Sequence, residues 1–212
     1  MNTPPSLDAL IDAASVIPVL AVKRLEDAAP LAMALAAGGL KVIELTLRTD
    51  VALDAMKAMQ DAAPELIVGM GTIRTPEQAR ASAEAGASFL VSPGLTPELG
   101  EAMLATGLAC LPGVATAGEA MASQAQGFEV LKFFPAEPAG GIAYLKALEG
   151  PLPDIRFCPT GSISREKAPD YLALTNVVCV GGSWIASPGD IDAGNWTAIT
   201  ANARAAEAMK GR

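Results

Sequence analysis

The sequence alternates eight times between a short apolar run and a longer alanine-rich segment with helical spacing. The runs are rich in β-branched residues, as expected of buried parallel strands, and each is followed by enough residues for one helix. Eight strand–helix units in 212 residues match the lower end of the size range of a (β/α)8 barrel. The predicted strands are Val16–Val22, Val42–Leu47, Leu66–Met70, Ser88–Val91, Leu108–Leu111, Val130–Phe134, Ile155–Pro159 and Val177–Val180.

Small polar residues or prolines after the strands mark the helix starts, and glycines mark several helix ends. An extra helix at Ser6 to Ala14 is expected to close the bottom of the barrel. The alanine-rich segment from Asn195 to Lys210 is expected to be the eighth outer helix. The predicted N-cap residues are Thr75, Thr96, Thr116 and Ser164.

No linker, charge block or low-complexity segment divides the chain, so residues 1–212 are expected to form one α/β domain. The alternative is an open doubly wound sheet, which would place a glycine-rich dinucleotide fingerprint after its first strand. No such fingerprint follows Val22. The sequence therefore favours a TIM barrel with an extra N-terminal helix.

Composition excludes several classes of function. A net charge of -8 repels nucleic-acid phosphates, and no stretch of about 18 apolar residues predicts a membrane span. The N-terminus carries Asp8 and Asp12 and lacks the pattern of a secretory signal, so a cytoplasmic protein is expected. The absence of histidine excludes histidine bases and histidine-bound metals, and no metal site is predicted.

The three cysteines are each embedded in an apolar run, without the spacing of a metal site. We expect Cys110, Cys158 and Cys179 to be reduced core residues.

Lys132 interrupts the apolar run from Val130 to Phe134. Burying a lone ammonium is costly, and burial favours the free amine, which can attack a carbonyl and form a Schiff base. The alternative is a lysine at a strand end, whose stem packs on the aromatic residues while its head reaches solvent or a carboxylate. The pattern therefore makes Lys132 a candidate nucleophile.

Glu44, Thr46 and Arg48 share one face of the second predicted strand because alternate residues point the same way. If this face and that of Lys132 both turn inward, Glu44 and Lys132 meet inside the barrel. They would then form either a base and nucleophile or a buried ion pair without chemistry.

Arg48 lies farther along the strand, toward the C-terminal rim where barrel enzymes place their sites. It can hold a carboxylate, or form a rim ion pair with Asp50. Thr72 and Thr160 end other strands and can join Arg48 around a carboxylate, or cap the helices that follow.

Glycine-rich turns follow the last two predicted strands. In such barrels these loops and a helix N-terminus present backbone N–H groups to phosphate, although ordinary tight turns are the alternative. The predicted phosphate-binding residues are Gly161, Ser162, Gly182 and Ser183.

Together these segments resemble the 2-keto-3-deoxy-6-phosphogluconate (KDPG) aldolase and 4-hydroxy-2-oxoglutarate aldolase family of class I lyases. The resemblance covers most of the chain. The segments that carry it are Ile43–Thr49, Gly69–Ile73, Leu111–Gly113, Leu131–Glu137, Phe157–Gly161 and Gly181–Trp184.

The resemblance implies that Lys132 is the Schiff-base lysine and Glu44 the general acid/base. It implies that Arg48, Thr72 and Thr160 hold the carboxylate of the keto acid. It further implies Pro93 and Phe134 as walls of the pocket.

The implied reaction cleaves KDPG to pyruvate and glyceraldehyde 3-phosphate, with 4-hydroxy-2-oxoglutarate as a second substrate. No cofactor is implied beyond the covalent lysine imine, and the family implies a homotrimer. Ser162 departs from the pattern, because many members have glycine there. Two rival functions are a phosphate-binding barrel isomerase or epimerase, and a catalytically silent binding protein.

Overall fold

A computed structural model describes residues 5–209, in which parallel strands alternate with helices. The strands are β1 Val16–Leu20, β2 Val42–Thr46, β3 Ile67–Gly71, β4 Phe89–Val91, β5 Ala109–Leu111, β6 Gly113–Val114, β7 Val130–Phe133, β8 Arg156–Pro159 and β9 Val180–Gly182.

The helices surround the strands in chain order. They are α1 Leu7–Ala13, α2 Ala28–Ala37, α3 Ala52–Ala62, α4 Pro76–Glu84, α5 Pro97–Ala105, α6 Ala117–Ala125, α7 Gly141–Glu149, α8 Ala168–Leu172, α9 Pro188–Asp192 and α10 Trp196–Glu207. A 3-10 helix at Leu25–Asp27 precedes α2. The predicted end of the last helix, Lys210, lies outside the described residues.

The strands form an α/β fold with a curled parallel sheet. Six strands pair in the order β5-β4-β3-β2-β1-β9, and three pair in the order β6-β7-β8. Single parallel bridges, Phe157 with Val177 and Thr160 with Gly181, connect β8 to the segment of β9. Parallel pairing brings the C-terminal ends of the strands to one edge, where the predicted site residues lie.

A strand that the sequence does not predict, β6, follows the fifth predicted strand and is separated from it by Pro112. The predicted strand, observed as β5, pairs with β4, while β6 pairs with β7. Proline has no N–H to donate to a ladder, and the N–H of the next residue, Gly113, donates to Ser92 Oγ at 3.3 Å. The structure therefore has nine strands in the described residues where the sequence predicts eight.

Several strand bounds differ from the sequence prediction by one or two residues, and two boundaries differ by more. The last strand begins at Val180, and Val177 joins the sheet only through its single bridge. The helix predicted at Ser164 begins at Ala168, because Pro169 suits the first turn of a helix. By contrast, Thr75, Thr96 and Thr116 cap their helices as predicted.

The apolar residues form two clusters. The larger lies between the sheet and the helices, and the smaller lies on the opposite face of the strands. In the smaller cluster Leu10 of α1 is fully buried beside inward residues of six strands and the segment before β9. These partners include Ile17, Val42, Phe89, Leu111, Val130, Cys158 and Cys179.

The cysteines and the helix lengths are as the composition predicts. All three cysteines are buried and free, as predicted. Burial raises the pKa of the Cys110 thiol to about 12. Within residues 5–209 no helix is long and apolar enough to span a membrane.

Gly69 is expected to be intolerant of a side chain. A Cβ at this position would lie 2.3 Å from the ring of fully buried Phe89, which cannot move without disturbing the smaller cluster. Gly69→Ala should therefore lower the free energy of unfolding by about 1–3 kcal/mol through overpacking. Urea unfolding measures the change. The control Gly118→Ala, in α6 where a Cβ meets nothing within 4 Å, should leave stability unchanged or raise it.

Candidate active site

Lys132 and Glu44 meet inside the fold, as the strand pattern predicted. Lys132 Nζ lies 3.2 Å from Glu44 Oε1 and 3.5 Å from Oε2. Both side chains are 5% exposed. Lys132 comes from β7 and Glu44 from β2, so the contact depends on the tertiary fold rather than on local sequence. The lysine head reaches a carboxylate and not solvent.

One glycine leaves space for this pair, and one aromatic ring lies against it. A Cβ on Gly71 would lie 2.0 Å from Glu44 Oε1, so only glycine at the end of β3 leaves space for the carboxylate. Lys132 Nζ lies 5.4 Å from the centroid of the Phe134 ring, within the range of a cation–π contact. The ring of Phe134 thus lies beside the amine.

Pro93 lies one strand away from Lys132. Its carbonyl carbon would be 2.2 Å from a Cβ on Gly113, and Gly113 is the register partner of Lys132 between β6 and β7. Gly113 therefore lets the turn that contains Pro93 pack closely beside β6.

Arg48 and Thr72 lie together at the C-terminal ends of β2 and β3. Arg48 Nε donates to Thr72 Oγ1 at 3.1 Å, and both residues line a cavity of about 600 Å³ with Thr49, Asp50 and Arg74. Among the described residues Arg48 forms no ion pair within 4.0 Å with Asp50. Thr72 does not cap α4, since Thr75 does. Its φ of 62° is unusual for a β-branched residue.

Thr160 is buried at the end of β8 and is held from two sides. Its N–H donates to Phe133 O at 2.9 Å, and its carbonyl accepts from Ala136 N at 2.8 Å. Its Oγ1 would lie 2.2 Å from a Cβ on Gly181, so glycine there permits the close approach of β9. These backbone hydrogen bonds therefore connect the loop after Lys132 to the turn after Thr160.

The two glycine-rich turns also lie side by side, but neither begins a helix directly. Ser162 has a φ of 59°, a conformation that glycine adopts more readily. Gly161 is half-buried, Gly182 is buried and Ser183 is exposed. α8 begins at Ala168 and α9 at Pro188, several residues beyond each turn, so the helix N-termini expected at the phosphate region are not there.

A group that sequence reasoning missed holds the loop after Lys132. Glu137 accepts a hydrogen bond from Tyr171 Oη at 2.5 Å and forms an ion pair with Lys167. These two contacts, that with Lys167 foremost, lower the pKa of the Glu137 carboxyl. The only sequence signal is a glutamate that ends the Phe-Phe-Pro-Ala-Glu segment, and neither partner could be identified from spacing.

The Cys179 thiol is fully buried. Its hydrogen bond with Cys158, its burial and the charge of Glu44 raise its pKa well above the usual range. The thiol is therefore neutral at physiological pH. A second cavity of about 540 Å³ is lined by Ser15, Leu172, Val177 and Met209 among others, and none of the predicted site residues line it.

The arrangement suits imine chemistry. An amine that attacks a carbonyl must first lose a proton, and the resulting carbinolamine must lose water with the help of an acid. Glu44 is within hydrogen-bond distance of Lys132 and can do both.

Comparison with known proteins agrees with this geometry. The sequence model of the family described as KDPG and KHG aldolase matches residues 7–202. The KHG/KDPG aldolase of Escherichia coli K12 is 45% identical over 210 residues, which are 99% of this chain and 98% of that protein.

The chain belongs to the KDPG and KHG aldolase family.

Solved structures of KDPG aldolases have the same fold. The Legionella pneumophila enzyme, with pyruvate captured at low pH as a covalent carbinolamine intermediate, has a TM-score of 0.92 and 45% identity, covering 95% of this chain and 98% of that one. The Zymomonas mobilis ZM4 enzyme with 3-phosphoglycerate has a TM-score of 0.91 and 43% identity, covering 98% and 97%. The resemblance seen in the motifs is thus confirmed, as is the assignment to a lyase family.

Removing one member of the buried pair should destabilise the aldolase more than removing both. Lys132→Met leaves the Glu44 charge buried without a partner, which costs about 3 kcal/mol or more, whereas Glu44→Leu/Lys132→Met removes both charges. Urea unfolding of the single and double variants measures the difference. Lys57→Met, at an exposed helical position, should change stability little. A double variant less stable than Lys132→Met would contradict this expectation.

Proposed function

We propose that this chain is a class I aldolase that cleaves KDPG to pyruvate and glyceraldehyde 3-phosphate, and that also accepts 4-hydroxy-2-oxoglutarate. The observation that carries the proposal is the buried Lys132 amine, 3.2 Å from the Glu44 carboxylate, in a chain that belongs to this family. The electron sink is the covalent imine itself, so the reaction uses no metal or other cofactor.

The first half of the reaction forms the imine. Glu44 accepts a proton from Lys132 Nζ, and the amine attacks the C2 ketone to form a carbinolamine. Glu44 then protonates the C2 hydroxyl, which leaves as water. The nitrogen lone pair forms the protonated C=N bond.

The second half breaks the C3–C4 bond. A base removes the C4 hydroxyl proton, the C4 aldehyde forms, and the electron pair of the C3–C4 bond moves to the imine to give an enamine. Glyceraldehyde 3-phosphate leaves. The enamine is then protonated at C3, and water hydrolyses the imine to release pyruvate and regenerate Lys132.

The rim residues hold the two ends of the substrate. Arg48, Thr72 and Thr160 bind the C1 carboxylate, since a guanidinium and two hydroxyls supply donors for it. Phe134 and Pro93 form the pocket walls. The phosphate lies against the turns that contain Gly161, Ser162, Gly182 and Ser183.

The fold proposed for this function is a single closed (β/α)8 barrel with α1 covering its N-terminal end. The bridges between β8 and β9 and the continuity of β5 and β6 support closure. We propose a cytoplasmic homotrimer whose partners are small phosphorylated keto acids, with neither nucleic acid nor membrane. The phosphate-binding isomerase or epimerase explains the glycine turns but gives no role to a buried amine beside a carboxylate.

Borohydride trapping tests the imine directly. Wild-type protein incubated with pyruvate and sodium borohydride should gain one pyruvate-derived adduct, because reduction converts the imine into a stable amine. Intact mass and peptide mapping should place it on Lys132. The Lys132→Arg variant should give no adduct and lose nearly all turnover, with Lys57→Arg as the matched control. Adducts scattered over exposed lysines, or substantial turnover by Lys132→Arg, would favour the isomerase.

Exchange of the pyruvate methyl hydrogens tests the role of Glu44. The wild type should incorporate deuterium from D₂O through the enamine, while Glu44→Gln, which cannot transfer the proton, should exchange at least about a hundredfold more slowly. Proton NMR of pyruvate measures the rate. A Glu44→Gln variant that exchanges normally but unfolds more easily would reduce Glu44 to a structural partner of Lys132.

A further inference from the structure

Arg165 is a cation at the phosphate turns that the family motifs do not include. It lies three residues after Ser162 in the segment between β8 and α8 and is exposed. Its Cζ lies 6.0 Å from the ring centroid of Trp184, which belongs to the turn after β9. This contact connects the two turns a second time, beyond the bridge between Thr160 and Gly181.

Trp184 places this cation close to the backbone of the second turn. Its Nε1 would lie only 2.9 Å from a Cβ on Gly182, so the indole packs directly against that glycine. In a cation–π contact the guanidinium is attracted to the ring through its charge and makes no hydrogen bond to it. Its N–H groups can therefore still donate to an oxygen acceptor. Trp184 therefore serves as a platform for Arg165 beside Gly182.

The indole Nε1 itself is buried and has no hydrogen-bond partner among the described residues. The ring is thus oriented by packing against Gly182 and Arg165 rather than by a polar contact of its own. Two backbone carbonyls of the same turn, those of Trp184 and Ile185, accept from Asn202 of α10, which fixes the turn to the outer helix.

The cations before and after the first turn, Arg156 and Lys167, are already paired. Lys167 is held by Glu137, and Arg156 lies at the opposite end of β8, where it contacts Asp8 and Glu129. Within residues 5–209 Arg165 forms no ion pair within 4.0 Å. The pKa of the neighbouring Glu166 carboxyl is lowered chiefly by a hydrogen bond from Ser164 and, to a smaller extent, by the positive charge of Arg165.

We infer that Arg165, supported by Trp184, binds the phosphate group of the substrate and determines the preference for phosphorylated over unphosphorylated 2-keto-3-deoxy acids. This inference rests on the proposed function. A phosphate dianion gains charge-assisted hydrogen bonds from a guanidinium, whereas an unphosphorylated hydroxyl gains little from it. The glycine turns supply backbone donors to either substrate, so Arg165 is the group that discriminates between them.

The test compares two substrates in three variants. Arg165→Ala should raise KM for KDPG by about tenfold or more, the factor lost with one charge-assisted hydrogen bond, and change kcat less than twofold. Its kcat/KM for unphosphorylated 2-keto-3-deoxygluconate should remain within twofold of the wild type. Arg165→Lys keeps the positive charge but not the planar guanidinium, so its KM for KDPG should lie between those of the wild type and Arg165→Ala. Trp184→Phe keeps an aromatic face under Arg165, so its KM for KDPG should be close to that of the wild type.

Inorganic phosphate provides a second readout that a general loss of structure would not mimic. Its competitive inhibition of KDPG cleavage should weaken in Arg165→Ala by a factor similar to the rise in KM. The control Arg80→Ala removes an exposed arginine that pairs with Glu77 on α4. It should change neither the KM for KDPG nor the inhibition by inorganic phosphate.

An equal loss of kcat/KM on both substrates in Arg165→Ala, or an unchanged KM for KDPG, would overturn the inference. Pyruvate trapping on Lys132 separates this failure from that of the proposed function. If the wild type and Arg165→Ala both trap pyruvate, the aldolase chemistry stands and only the role of Arg165 is lost. If the wild type traps none, the proposed function and the inference fall together.

Discussion

The buried ion pair between Lys132 and Glu44 determines which residues can surround it in the interior. Burying two charges costs more than an apolar pair of the same volume would, so their presence is poorly explained by stability alone. Yet the chain makes room for them: Gly71 leaves space for the carboxylate, and the ring of Phe134 lies beside the amine. The interior thus accommodates an ion pair that is unfavourable to bury, at the position where imine formation is proposed.

Strand β3 shows how one element serves both stability and function. Gly69 and Gly71 point to the same face, and each leaves space for a neighbouring side chain. At Gly69 the neighbour is Phe89, a member of the apolar cluster that contacts α1; at Gly71 it is Glu44. The inward face therefore changes from apolar to charged within two residues. Packing is concentrated toward the N-terminal ends of the strands, and reactive groups lie toward the C-terminal ends.

The sequence predicts most of the strands and three of the four N-caps, because these depend on local periodicity and on single capping residues. It predicts the strand faces that carry Glu44 and Lys132, and the tertiary fold then brings these faces together. It does not predict the short strand β6 after Pro112, since the change of pairing from β4 to β7 is a tertiary property. The late start of α8 agrees with Pro169, which suits a first helical turn, whereas the Ser164-Arg165-Glu166 pattern predicts an earlier start. The contacts of Glu137 and Arg165 join separate loops, and no spacing in the sequence encodes them.

The charge of the chain bears on how an anionic substrate is bound. A net charge of -8 would oppose a phosphorylated keto acid if all charges acted together. At physiological ionic strength, however, the Debye length is about 8 Å, so binding depends on the charges near each end of the substrate. Arg48, hydrogen-bonded to Thr72, and Arg165, held over Trp184, place a guanidinium at each proposed end. Within residues 5–209 neither guanidinium forms an ion pair within 4.0 Å, so each keeps donors for the substrate.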